Sequence, residues 1–500
     1  MSDGEKRIVV IGSGVGGAGV AALLQGRGHR VTLLEKNDFY GGKCWTFERS
    51  GFVVDSGVHM FSMGESGQHG DLNRRVKGDL GWHVANPSER LLIGGDLFFS
   101  LYQNLLDPRG ALVNSRLGLK MLAERRKRLR LEESSRKELD REIYRASKNN
   151  TPLETLTAVA KLALLNQSYI QELDRMTLQE FMHRITDDYP PLQGIAALSM
   201  LLTVVPYHQA SAGEFLWCFS NIFRKRTLGV PRGGSREIPG AFLRAFKRDG
   251  GEVRLGCEVK RILVRDGKTR GVETADGEEI EADMIISNAG IKRTLDMAGE
   301  EHFPEDYVSY VHGLRYSRSF ITTKFGLSRR VVDLPAPSFF NIPNVDPDHM
   351  FDYLDEGGVP EDPFLFTPMP SEWDPYAAPP GKQLVIMGVN GPIEVTEKNV
   401  EQCERILDRA EERLLEIFPQ IENHVEWKMR THISHTASIT GKPTGECIGL
   451  AQCVGQTGAD KPTPWTPVKD LWLVGADAGA RGVGTEQAAG SALYVANLVG

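Results

Sequence analysis

Two glycine-rich turns, one near each end of the chain, constrain its fold more than any other feature. Arg7-Ile8-Val9-Val10-Ile11 runs into Gly12-Ser13-Gly14-Val15-Gly16-Gly17, and a second apolar stretch, Val31-Thr32-Leu33-Leu34, ends at Glu35. Strand, G-x-G-x-x-G turn, helix and a second strand closing on an acid make a dinucleotide-binding βαβ unit. Gly12 permits a tight turn off the strand, Gly14 lets the backbone approach a pyrophosphate, and Gly17 lets the helix pack on the sheet. The helix start at Val15 and Gly16 then aims free amide groups and the positive end of its dipole at the phosphates. Glu35 lies 18 residues past Gly17. A carboxylate there accepts hydrogen bonds from ribose hydroxyls and repels a 2′-phosphate, which favours FAD or NAD over NADP.

At the other end, Leu471-Trp472-Leu473-Val474 enters Gly475-Ala476-Asp477 and a glycine-rich run from Gly479 to Gly490. This segment resembles the one with which flavoenzymes hold the ribityl chain and cradle the isoalloxazine. The resemblance places Asp477 on the ribityl hydroxyls. A helix predicted from about Gly484 to Ala496 aims its amino end, at Val483 and Gly484, toward the flavin N1–C2 edge, where it stabilises the charge of reduced flavin. The alternative is a glycine-rich surface loop. Arg481 is then either a phosphate or flavin partner or an exposed side chain.

Further motifs select FAD. Lys36-Asn37-Asp38-Phe39-Tyr40-Gly41-Gly42-Lys43 and Gly51-Phe52-Val53-Val54-Asp55-Ser56-Gly57 resemble the E-K-x(4)-G-G-R and G-F-x-x-D-x-G signatures of the amine oxidase and phytoene desaturase superfamily. Lys43 stands where the family has Arg, keeping positive charge near the phosphates and losing the planar fork. Pro231-Arg232-Gly233-Gly234, the segment Gly251 to Ile262 and Glu281 to Gly290 match later family motifs, whose Val, here Val259, gives backbone contacts to adenine. The resemblance touches residues 7–60, 178–290 and 425–500 and is strongest for the phytoene desaturase, carotenoid isomerase and retinol saturase branch. It implies FAD as cofactor, with Gly12, Gly14, Val15, Gly16, Gly17, Glu35, Lys36, Gly42, Lys43, Val259, Asp477, Val483 and Gly484 at the cofactor.

The implied fold class is α/β: a discontinuous Rossmann-like FAD-binding domain of the glutathione reductase type, with an inserted substrate domain of mixed β-sheet plus a helical cap. Five hundred residues exceed a single core. Residues 1–95, 229–290 and 425–500 are assigned to the FAD-binding domain, 96–228 to the cap and 291–424 to the substrate sheet. Ser319 to Leu327 and Gln383 to Val389 read as strands, and Val400 to Phe418 as an amphipathic helix stopped at Pro419. A net charge of −7 gives no reason to expect nucleic acid. No run approaches the roughly 20 apolar residues of a membrane span. The start enters a strand without a signal stretch, and six cysteines without a C-x-x-C pair read as reduced thiols, so a cytoplasmic location is expected.

Residues 116–148 stand apart, with 12 Lys/Arg against 6 Asp/Glu and interleaved leucines. They read either as a basic amphipathic helix lying on an anionic membrane, giving a peripheral location, or as a solvated helix packed on the cap. Catalytic side chains are sparse, because transfer of a hydride to flavin and of a proton to a neighbouring group needs little machinery. By motif position His59 falls near the flavin ring, either as a proton acceptor or as a wall residue that orients the flavin. His208 is a candidate substrate contact. His432, His435, Cys447 and Cys453 lack zinc spacing, so no metal is assigned.

Only one dinucleotide fingerprint is present, so electrons are expected to pass to a quinone, oxygen or another carrier; a redox-neutral isomerase is equally permitted. The leading reading is an FAD-dependent oxidoreductase that desaturates, saturates or isomerises C=C bonds in an apolar, isoprenoid-like small molecule. The alternative is a flavin amine oxidase or other FAD oxidase on a smaller substrate. A prenyl-lipid carrier resembling the GDP-dissociation inhibitors needs no flavin, yet the flavin-type residues are all present here.

Overall fold

Arg7–Ile11 is the middle strand of a five-stranded parallel sheet in the order 471–473, 284–287, 7–11, 30–34, 252–254. The computed structural model describes residues 5–57, 60–85, 87–93, 96–101, 165, 167–186, 189–334 and 336–500. The helix Val15–Gly26 packs against Glu237–Arg248 and Gly484–Val499. Its small residues permit this: a Cβ on Gly19 would lie 2.5 Å from Leu72 Cδ2 and 3.1 Å from Ala492 Cβ. An antiparallel meander, Val259–Arg265, Lys268–Thr274 and Glu279–Glu281, follows the fifth strand.

A second, mixed sheet, the one expected to serve the substrate, has, among the described residues, seven strands in the order 425–431, 319–327, 383–391, 365–368, 338–342, 89–93, 96–101. All neighbours are antiparallel except Ser338–Ile342 with Glu89–Ile93. Gln383–Gly391 is buried throughout, and Ser319–Leu327 at every position but Phe320. Near-continuous Val, Ile, Met and Phe are what a strand covered on both faces requires. One cover is the helix Glu397–Ile417, whose Cys403, Ile406, Leu407, Ala410 and Leu414 are buried at i, i+3, i+4 spacing. Its start is capped by the Thr396 side chain, which accepts from Asn399 N, and Pro419 follows its end.

The cap comprises the described helices Gln167–Glu172, Leu178–His183, Tyr189–Leu202 and Ala212–Lys225. Thr177 and Glu180 form a capping box at the second of these. No helix among the described residues is long and apolar enough to cross a membrane.

Two segment boundaries differ from those read in the sequence. Glu89–Ile93, inside the 1–95 segment assigned to the FAD-binding domain, pairs with Ser338–Ile342 and extends the substrate sheet. Val425–Thr431, expected to open the last FAD-binding segment, is the edge strand of that same sheet. The physical reason lies in the pairing Gly326↔Trp427: the indole occupies the space a side chain at 326 would need, so a Cβ there would fall 2.1 Å from Trp427 Nε1. Residues 116–148 lie outside the described residues.

Candidate active site

The carboxyl ends of four parallel strands, at Ile11, Leu34, Ser287 and Leu473, converge on a cavity of about 360 Å³. Ligands of open α/β sheets bind outside these strand ends, where the order of connection reverses. The two chain ends meet here. A Cβ on Gly16 would lie 2.8 Å from Gly475 Cα and 2.7 Å from Asn288 Oδ1, so only glycine lets the first helix start this close to the last strand. That helix begins at Gly14, and the helix Gly484–Val499 begins at Val483; neither start has a side-chain cap. Two uncapped helix starts therefore line one cavity and present amide donors to an anionic ligand.

Glu35 is buried on the wall, with both oxygens engaged. Oε2 accepts Ser13 N at 2.9 Å and Ser13 Oγ at 2.6 Å, and Oε1 accepts Asn37 N at 3.0 Å and Asn37 Nδ2 at 2.9 Å. These bonds fix the carboxylate at the end of the second strand. Lys36 turns toward Ser438 O and Asn37 Oδ1. Asp477 accepts Ile291 N and Leu450 N, each at 3.1 Å, and lies 3.6 Å from Lys442 Nζ.

Lys43 and Lys442 both pair with the fully buried Glu446, at 3.0 and 2.9 Å, and Thr444 Oγ1 donates to the second carboxylate oxygen. Burial pushes this carboxyl up, yet Lys43 and Lys442 outweigh it and hold Glu446 at about 2. Burial works equally against the charge of Lys442, but Asp477 and Glu446 keep its ammonium well above the usual lysine range. The result is a chain of alternating charge, Lys43–Glu446–Lys442–Asp477. Leu201, Leu202 and Val204 from the cap and Phe320 and Phe366 from the mixed sheet add apolar side chains to the wall of the same cavity. Val204 has φ 52°, a left-handed conformation costly for a β-branched residue, and such strain concentrates at functional sites.

A profile of flavin-containing amine oxidoreductases matches residues 19–499. The chain belongs to this family. It is 27% identical over 484 residues to a zeta-carotene-forming phytoene desaturase of Myxococcus xanthus, covering 94% of this chain and 89% of that one. It is 24% identical over 522 residues to an all-trans-retinol 13,14-reductase of Danio rerio, covering 94% and 82%. The crystal structure of an oxidoreductase from Methanosarcina mazei superposes with a TM-score of 0.70 at 20% identity, over 98% of this chain and 100% of that one. This flavin-containing amine oxidoreductase is thus an FAD-dependent oxidoreductase with an α/β, Rossmann-like cofactor domain.

The residues present fit FAD. Glycine walls, two uncapped helix starts and an oriented acid suit an extended dinucleotide with an anionic centre. Gly12, Gly14, Val15, Gly16, Glu35, Lys36, Gly42, Lys43, Val259, Asp477, Val483 and Gly484 all line the cavity of the oxidoreductase. Gly17 does not: a Cβ there would lie 2.0 Å from Gly12 O, so its part is helix-to-sheet packing. His59 lies outside the described residues. His208 is not in the cavity wall and meets Gln209 Nε2 at 3.1 Å. His435 does line the cavity; burial lowers its pKa, helped by Lys324 and His432. Arg481 is not an exposed side chain: it pairs with Asp174 and lies 3.5 Å from Glu214 of the cap.

Four charged residues of this region escaped sequence reasoning: Lys442, Glu446, Glu486 and Lys324. Lys324 is fully buried on the sheet, donating to Thr322 Oγ1 at 2.6 Å and Thr431 Oγ1 at 2.8 Å. Burial lowers it to about 7 against the upward pull of Asp55. Its signal was legible: a lone charge among β-branched and aromatic residues in the strand-like stretch Ser319 to Leu327. Glu446 and Lys442 had an i, i+4 signature, but in a loop-rich stretch with no period to place them.

Proposed function

We propose that the enzyme desaturates, saturates or isomerises C=C bonds of an apolar, isoprenoid-like molecule held against the apolar side chains of the cavity wall. The observation that carries this reading is that Leu201, Leu202, Val204, Phe320 and Phe366 line the same cavity as the glycine-rich turns. Burying a hydrocarbon chain there is favourable by about 25 cal/mol per Å² of apolar surface removed from water. The names of the two relatives, a phytoene desaturase and a retinol reductase, support the same substrate class. FAD, when bound, supplies the acceptor or donor of a hydride. Gly12, Gly14, Val15 and Gly16 would hold its diphosphate, with Lys36, Gly42 and Lys43 alongside. Glu35 would hold its ribose, Val259 its adenine, Asp477 its ribityl chain, and Val483 with Gly484 the ring edge.

The test is incubation of the FAD-loaded enzyme with phytoene or all-trans-retinol in detergent micelles, with and without a benzoquinone. Products with a changed number or geometry of double bonds support the reading. Rapid reoxidation by air with peroxide release, and turnover of amines alone, would replace it with an amine-type oxidase. For residues 116–148 the reading is peripheral contact with an anionic membrane. Co-sedimentation with phosphatidylserine vesicles that is equal with and without the segment would remove it.

A further inference from the structure

Glu486 stands in the first turn of the helix Gly484–Val499, 4% exposed and on the cavity wall. Its Oε1 accepts Met63 N at 2.7 Å and its Oε2 accepts the Ser62 hydroxyl at 3.0 Å. Among the described residues it forms no ion pair with Lys, Arg or His, unlike Glu446 and Asp477 across the same cavity. A carboxylate so placed has two neutral donors and little solvent to sustain its charge. Burial raises its pKa to about 7, against the two hydrogen bonds that favour the ionised form.

The groups around it leave the titration to Glu486. Cys218 faces it from the helix Ala212–Lys225, and burial pushes that thiol well above its usual range. His69, on the adjoining helix Gln68–Val76, is fully buried and lowered to about 3 by burial. Ser62 and Met63 carry no charge, and the packed helix Val15–Gly26 has no titratable side chain.

We propose that Glu486 is a proton acceptor of this active site, ionised beside oxidised cofactor and taking up one proton as the cofactor is reduced. The electrostatic reason is the helix start that both share. FAD bound in this cavity would gain negative charge on reduction, and the ionised Glu486 carboxylate on the cavity wall would feel a repulsion that is weakly screened inside a protein. Protonation of Glu486 removes it. By linkage, reduction strengthens proton binding as much as the proton favours reduction. The balance is one O–H bond formed on the carboxylate for two electrons gained by the cofactor. In a desaturation, which rests on the function proposed above, the first carbon would lose its hydrogen as hydride to bound FAD, the C–H electron pair of the second carbon would become the new C=C bond, and its proton would go to Glu486.

The redox-linked proton needs bound FAD and no substrate, so it is tested apart from the substrate assignment. The full-length FAD-loaded enzyme is photoreduced without oxygen, slightly above neutral pH, and followed by infrared difference spectroscopy in water and deuterated water. A protonated-carboxyl C=O band that appears on reduction, shifts with deuterium and is missing in Glu486→Gln is the expected result. In parallel, the wild-type potential should fall by an extra ~30 mV per pH unit from neutrality upward, the two-electron equivalent of a tenfold change in proton activity, and Glu486→Gln should lack this increment. Absence of the band in the wild type, or equal slopes in both proteins, overturns the proposal. Should Glu486→Gln lose its FAD, the wild-type band decides alone: its presence with a shift in Glu486→Asp supports the assignment, and its absence ends it.

Discussion

Glu214 Oε1 accepts the backbone N–H of Gly482 at 2.7 Å, joining the cap to the glycine-rich turn that starts the last helix across 268 residues of sequence. Arg481, the neighbour of Gly482, closes the same joint through Asp174 and Glu214. The cap and the glycine-rich turn are therefore tied by an ionic clasp whose acids are buried.

Removing the cation of this clasp leaves two acids behind, Glu214 fully buried and Asp174 nearly so. Breaking a buried pair from one side typically costs about 3–5 kcal/mol. Arg481→Ala is expected to fall in that range in urea unfolding of the FAD-loaded protein. Arg481→Lys, which keeps charge but not the fork, should recover part of it. A loss under about 1 kcal/mol would show the clasp to be dispensable.

Glu446 makes stability depend on acid. Its folded value of about 2 lies below the ordinary 4.5, so between these the unfolded chain binds more protons. Its contribution is complete above about pH 4.5 and is lost as pH falls toward 2. By the usual conversion it is up to about 3 kcal/mol. In urea titrations at stepped pH, the gap between wild type and Glu446→Gln should narrow over that window and stay constant above it.

Lys324 gives the same direction of pH dependence in a higher window, but there its buried charge works against folding. The unfolded chain keeps its proton up to about 10.5 and the folded chain releases it near 7, so stability rises with pH between the two. Lys324→Met fits the volume and lets Thr322 and Thr431 keep their mutual bond at 2.6 Å. A gain of about 2–4 kcal/mol at neutral pH is expected, shrinking toward pH 10. A loss of stability at neutral pH would contradict the placement of the amine in a dry site.

Glu35 and Gly16 test the cofactor cradle. Glu35→Arg breaks the bonds to Ser13 and Asn37 and reverses the charge at the second strand's end. FAD affinity should fall by about 10- to 100-fold, read by fluorescence titration. Gly16→Ala drives a methyl into the Gly475 backbone, which cannot yield as a side chain would, and should purify with little flavin. Unchanged flavin content in both variants would refute the assignment of this cavity to FAD.

Much of this architecture was legible in the amino-acid string, and the reason is local. Gly12, Gly14, Gly17 and Glu35 fall within one strand–turn–helix–strand unit, where spacing alone dictates direction, and Asp477 sits one turn beyond a strand. Helix Glu397–Ile417 and the strands at 319 and 383 announce themselves by the period of their apolar residues. Pairing across long separations is not periodic. Nothing in Val425–Thr431 says that it edges the substrate sheet until Gly326 makes room for Trp427. Likewise Lys43, Glu446 and Lys442 become a charge chain, and Glu214 a partner of Gly482, only when residues hundreds of positions apart share one buried volume. The sequence by itself determined that an FAD-type βαβ unit forms, because backbone and glycine sterics act between neighbours. Which carboxyls keep their protons was decided by the tertiary structure, because burial and the charges facing each group exist only once the chain has closed on itself.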